Sequence, residues 1–105
     1  MRRTPLSMLA HWAGGELHGQ DVAIDALSND TRSIAAGSLY VALRGERFDG
    51  HDFAAAAVAA GASALLVQRR LDIALPPVVV ADTERALAAI AAALQAARSP
   101  RVFAI

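Results

Sequence analysis

Asn29, Asp30, Thr31 and Arg32 put an amide, a carboxylate, a hydroxyl and a guanidinium in four consecutive positions. An amide and a hydroxyl each offer a donor and an acceptor, which suits the mixed edge of a base such as uracil. The same residues also read as a capped turn in which Asp30 and Arg32 pair locally, and the residues alone leave both readings open. The second polar stretch is Arg44-Gly45-Glu46-Arg47-Phe48-Asp49-Gly50-His51. Glycines at 45 and 50 permit positive φ and close backbone approach to a ligand. The helix expected behind them offers its N-terminus to an anion. Charge works against that use, because Arg44 and Arg47 are matched by Glu46, Asp49 and Asp52. A diphosphate bound here would lean on backbone N–H groups or on another domain, and a solvated connecting loop fits the same residues. The spacing matches neither G-x-G-x-x-G nor a P-loop.

The remaining polar residues form no catalytic pattern. His11, His18 and His51 lack metal-ligand spacing and read as surface or capping residues. Asp25, Asp30, Asp49 and Asp52 make no recognisable acid–base pair, and no serine sits in a nucleophile elbow. Trp12 and Tyr40 read as packing residues. Ten basic and ten acidic side chains cancel to a formal net charge of zero, so there is no electrostatic footprint for nucleic acid. Without cysteine there is no disulfide, thiolate nucleophile or Cys-type zinc site, as suits a reducing cytosol. No segment reads as an export signal or as the ~20 apolar residues of a membrane span. The reading is a binding domain without catalytic machinery of its own.

The elements that must position these residues follow from pattern. At 55% hydrophobic over 105 residues, one domain with a real core is expected. Thr4-Pro5 suggests a capped first helix with an apolar stripe at Leu6 and Leu9, stopped by Gly14-Gly15. Short strands are expected at 16–18 and 22–27, with Gly19-Gln20-Asp21 as the turn. Residues 39–43 read as a strand covered on both faces. Asp52 is the expected cap of a helix over 53–60 that Gly61 ends, and 64–67 is the next buried strand. That order implies a parallel pair joined by a right-handed crossover. A third strand over 78–81 leads to a helix over about 83–97, capped by Asp82 or Thr83, with Leu87, Ile90, Ala91 and Leu94 on one face. Ser99-Pro100 punctuates, and 102–105 begins a further strand. The expected fold is α/β, a small mixed β-sheet flanked by helices.

Several of these runs together resemble a known family. They are Asp30-Thr31-Arg32, Gly37-Ser38-Leu39-Tyr40-Val41-Ala42-Leu43, Gly45, Asp49-Gly50-His51-Asp52-Phe53, Ala57 through Gly61-Ala62, and Ala64-Leu65-Leu66-Val67. The chain resembles the N-terminal domain of the Mur ligases over essentially its whole length. Leu71-Asp72-Ile73-Ala74-Leu75-Pro76 and Val80-Ala81-Asp82-Thr83 look like the branch that joins D-alanyl-D-alanine to UDP-MurNAc-tripeptide. Much of the pattern is shared with the branch that adds the third amino acid. The resemblance implies a cytoplasmic, ATP- and Mg2+-dependent ligase of peptidoglycan synthesis. Residues 1–100 would be its UDP-substrate-binding domain, and 101–105 the first strand of a central ATP-binding domain whose P-loop follows directly. The sequence itself contains no G-x-x-G-K-[ST], so on its own it is expected to ligate nothing and to carry no cofactor or metal. Carried over by motif position, the uridine contacts fall at Asn29 and Thr31, with Asp30 and Arg32 shaping the turn. Gly45, Glu46, Arg47 and Phe48 would lie near the uracil or diphosphate. A non-catalytic protein-interaction module on the same fold is the alternative from another class.

Overall fold

The computed structural model describes residues 3–44 and 49–98. Thr4–Pro5 is a two-residue strand (β1) that pairs antiparallel with Ala23–Ile24 (β3). Pro5, at φ −62° and ψ 141°, is the residue that precedes helix α1, Leu6–Ala13. Thr4 therefore belongs to a strand rather than capping the helix. Pro5 can take this place because its ring fixes φ near −65° and its absent N–H is not needed there. Gly14, at φ 70°, ends the helix in the left-handed conformation.

The main sheet contains Glu16–Leu17 (β2), Ala26–Ser28 (β4), Ser38–Val41 (β5), Ala64–Val67 (β6) and Pro77–Val79 (β7), in the order β2-β7-β6-β5-β4. The pairs β4/β5, β5/β6 and β6/β7 are parallel and β2/β7 is antiparallel. This is the expected mixed sheet, including the expected parallel pairing of β5 with β6. The expected strand over 22–27 is divided instead: its first half pairs with β1 and its second half with β5. All four residues of β5 and all four of β6 are buried.

Alternation across the sheet makes two cores. Leu39, Val41, Ala64, Leu66 and Val78 face Leu6 and Leu9 of α1 and Ala86 and Ile90 of α3, Thr83–Arg98. Tyr40, Ala42, Leu65 and Val67 face Ala54 and Ala57 of α2, Ala54–Ala60. On α3, Leu87 and Leu94 pack as expected while Ala91 is exposed. Asp82 is the cap, its Oδ1 accepting from the amides of Glu84 (2.9 Å) and Arg85 (3.2 Å). Gly61 ends α2 at φ 108°, as expected. The expected break at Ser99-Pro100 and the strand at 102–105 lie outside the described residues.

Candidate functional site

The four parallel strands end on one edge of the sheet, where ligands of open α/β sheets bind. Directly after β4 the chain makes a 3-10 turn, Thr31–Ser33. Ser28 fastens its base: its hydroxyl donates to the Asp30 carbonyl (3.0 Å) and accepts from the Asp30 amide (3.2 Å). Asp30 Oδ1 accepts from the Arg32 amide (2.9 Å) and Nε (3.1 Å), and its Oδ2 from Arg32 Nη2 (2.9 Å). The Arg32 guanidinium, helped by its amide, lowers the Asp30 pKa. Asp30 and Arg32 thus satisfy each other and shape the turn. The side chains of Asn29 and Thr31 make no hydrogen bond to the described residues. They line an open hollow of about 590 Å³ together with Asp30, Arg32, Tyr40 and Phe53. That size falls within the range of small-molecule sites, about 300–1,000 Å³.

The Asp49-Gly50-His51 run turns out to be mainly a brace for this edge. Asp49 caps a second 3-10 turn, Gly50–Phe53, by accepting the His51 amide at Oδ1 (3.0 Å). A Cβ on Gly50 would lie 2.6 Å from the Leu43 carbonyl oxygen and 2.7 Å from its nitrogen. The backbone of its own chain is therefore enough to require glycine at position 50. Its amide donates to Leu43 O (2.7 Å), and the Tyr40 hydroxyl donates to Gly50 O (2.9 Å). Burial, and then the charges of Asp30 and Asp49, raise the Tyr40 pKa.

His51 is not the expected surface residue. Its side chain is 0% exposed, and it bridges two strands' ends. Its Nδ1 lies 2.6 Å from Asp49 Oδ1, and the Gln68 amide donates to its Nε2 (2.8 Å). An amide N–H can only donate, so Nε2 holds the lone pair and the ring proton sits on Nδ1, donated to Asp49. The His51 amide and ring N–H, with Arg69 adding to them, lower the Asp49 pKa to about 2. Beyond Gln68, the Thr83 hydroxyl donates to Ala42 O (2.8 Å), tying α3 to the residue just past β5.

Two expectations about the second loop change accordingly. The His51 amide, at the start of the 3-10 turn that leads into α2, is taken by the Asp49 carboxylate, so an anion at that amide would have to displace Asp49. Asp49, not Asp52, is the capping residue, while α2 itself begins after Phe53 without a side-chain cap. Gly45, Glu46, Arg47 and Phe48 lie outside the described residues. The structure also brings forward residues that the sequence reading did not place in the site. Phe53, whose ring lines the hollow, is 45% exposed. Arg69, just past β6, reaches Asp49 Oδ2 (3.5 Å), as does Arg44 from past β5 (3.7 Å). Grouping the residues just beyond each strand's carboxyl end would have brought Arg44 and Arg69 together.

Comparison with known proteins gives concordant results. The family model for the Mur ligase family, catalytic domain, matches residues 23–103. The UDP-N-acetylmuramoyl-tripeptide--D-alanyl-D-alanine ligase of Escherichia coli (strain K12) is 50% identical over 100 residues, covering 95% of this chain and 22% of that protein. The UDP-N-acetylmuramoyl-L-alanyl-D-glutamate--2,6-diaminopimelate ligase of Geobacillus kaustophilus is 45% identical over 87 residues, covering 82% of this chain and 18% of that one. A crystal structure of MurF from Acinetobacter baumannii superposes with a TM-score of 0.80 at 32% identity, covering 86% of this chain and 20% of that chain. The chain thus spans about a fifth of the length of these relatives. With the family pattern in the sequence, the mixed sheet and the matched residues all in agreement, this chain belongs to the Mur ligase family.

Proposed function

We propose that this chain is the UDP-substrate-binding N-terminal domain of a MurF-type ligase of peptidoglycan synthesis, which adds D-alanyl-D-alanine to UDP-MurNAc-tripeptide in the cytoplasm. The observation that carries the proposal is the hollow after β4. There Asn29 and Thr31 present an amide and a hydroxyl uncommitted to the described protein, beside the exposed ring of Phe53. Such a surface can read the donors and acceptors of a pyrimidine edge and stack its face. Asp30 and Arg32 hold the turn in shape. Gly45, Glu46, Arg47 and Phe48, which follow Arg44 in the sequence, complete the proposed substrate-binding set.

In this proposal residues 1–100 form the binding domain and 101–105 open the ATP-binding domain of the full-length enzyme. ATP and Mg2+ act in that enzyme, where ATP activates the substrate carboxylate for attack by the incoming amine. The sequence holds no G-x-x-G-K-[ST]. Among the described residues no group of three or more His, Cys, Asp or Glu could hold a metal ion, and no helix is long and apolar enough to cross a membrane. The proposal therefore assigns ATP and Mg2+ to the full-length enzyme and expects the chain alone to be inactive. The similarity to the diaminopimelate-adding relative supports a second reading, a MurE-type domain; it differs in the amino acid added and not in the nucleotide held.

Titration with UDP-MurNAc-tripeptide, followed by amide and side-chain NMR, tests the proposal. Shifts are expected at Asn29, Thr31, Tyr40 and Phe53. A response confined to residues far from this hollow would refute it.

A further inference from the structure

Hydrogen bonds fasten the turn Gly50–Phe53 to the sheet. The Gly50 amide donates to Leu43 O (2.7 Å), and the Tyr40 hydroxyl donates to Gly50 O (2.9 Å). The Gln68 amide donates to His51 Nε2 (2.8 Å). The first two join groups that do not titrate between about pH 5 and 8. The third joins the turn to the chain just past β6 through a histidine, the side chain that ordinarily changes charge in that range.

The geometry sets what a proton does there. In a neutral imidazole one nitrogen donates and the other accepts; in imidazolium both donate. The ring of His51 is buried and its Nδ1–H is committed to Asp49 (2.6 Å). A second proton therefore falls on Nε2, where it meets the Gln68 N–H, and that hydrogen bond is lost. The Gln68 side-chain oxygen is turned to Thr83 instead, 3.4 Å from its amide and 3.1 Å from its hydroxyl.

The surrounding charges act in both directions. The His51 amide and ring N–H lower the Asp49 pKa to about 2, so this carboxylate stays charged while a histidine titrates, and it favours the imidazolium. Arg44 and Arg69, from beyond β5 and β6, both reach Asp49 Oδ2 and oppose a further positive charge. From β5 the ring's neighbourhood holds Tyr40, which burial keeps neutral. From α3 it holds neutral Thr83, with Asp82 and Glu84 exposed beside Arg44 and Gln68. On the turn itself Asp52 is exposed, and α2 contains only alanine and valine.

We propose that His51 is a proton-sensitive latch. Neutral, it pins the Gly50–Phe53 turn to the end of β6; protonated, it stays with Asp49 and releases Gln68. The release is local, because the bonds to Leu43 and Tyr40 remain. Phe53 ends the turn and lines the hollow with Tyr40, so acidification loosens this wall of the hollow while the sheet stays folded.

NMR of this chain from about pH 7.5 down to about pH 5 tests the latch, through the ring-nitrogen shifts of His51 and the hydrogen-exchange protection of the Gln68 amide. At the upper pH the ring should carry its proton on Nδ1. As the ring gains its second proton, the Gln68 amide resonance should move with the same midpoint. Its protection should fall about tenfold, as loss of one hydrogen bond implies. The Phe53 ring resonances should follow, while the Leu39 and Leu66 amides should not. In His51→Gln, whose side-chain oxygen accepts without titrating, the response should vanish, which separates it from His11 and His18. In Asp49→Asn the midpoint should move to lower pH, because the charge that favours imidazolium is gone. If the ring takes up its proton while the Gln68 amide keeps its shift and protection, the latch does not exist. A ring that stays neutral to the end of the titration, or a response kept in full by His51→Gln, overturns it equally.

Discussion

Replacing His51 by alanine should destabilise this domain more than any nearby surface change, and the structure allows the loss to be itemised. The ring is buried and accepts the Gln68 amide at Nε2 (2.8 Å). Removing it leaves that N–H, at the end of a buried strand, without its acceptor, at a cost of about 1–3 kcal/mol. The Nδ1–H donated to Asp49 is a hydrogen bond to a charged acceptor, worth about 1.5–3 kcal/mol when fully shielded. Water reaches part of Asp49, so the lower end applies. With the lost packing of the ring, the expected total is about 3–5 kcal/mol, a large share of the roughly 5–15 kcal/mol typical of a domain. Urea unfolding reads it as a fall of about 1.5 M or more in midpoint, with an unchanged slope of about 1–2 kcal/mol/M. Exchange of the Gln68 amide should speed up in parallel. His51→Gln supplies an oxygen that can accept from Gln68 and should recover part of the loss. A loss under about 1 kcal/mol for His51→Ala at unchanged slope would refute the bridging role.

Other predictions follow from the same geometry. Gly50→Ala drives a methyl against Leu43 backbone atoms that cannot swing aside, and should cost about 2 kcal/mol or more by thermal or urea unfolding. Arg32→Ala, which breaks an exposed pair with Asp30, should cost under about 1 kcal/mol in the same assay. Phe53→Ala should leave stability nearly unchanged while weakening uridine binding by about 1–3 kcal/mol, read by NMR titration. Because the Asp49 pKa is depressed from 3.8 to about 2 in the folded state, its contribution is present above the unfolded value and is lost as pH falls from about 4 toward 2. Asp49→Asn should flatten that part of an acid-unfolding profile.

The sequence by itself determined the parts governed by local chemistry. Gly14 and Gly61 end their helices because left-handed φ suits glycine. Two unalternating runs became β5 and β6 because both faces of a parallel strand are covered. Asp30 and Arg32 pair because they stand two residues apart on one turn, and that leaves Asn29 and Thr31 to the hollow. Only the tertiary structure decided what depended on partners distant in the chain. Thr4–Pro5 became a strand because Ala23–Ile24 was there to pair with it. His51, unremarkable in sequence, is a buried bridge because folding brings the end of β6 onto its Nε2. Gly50 is required by Leu43, and Arg44 and Arg69 share one carboxylate although 25 positions separate them. The sharing of Asp49 by Arg44 and Arg69 has no local signature, because parallel strands bring their carboxyl ends together only through crossovers that the chain must complete first.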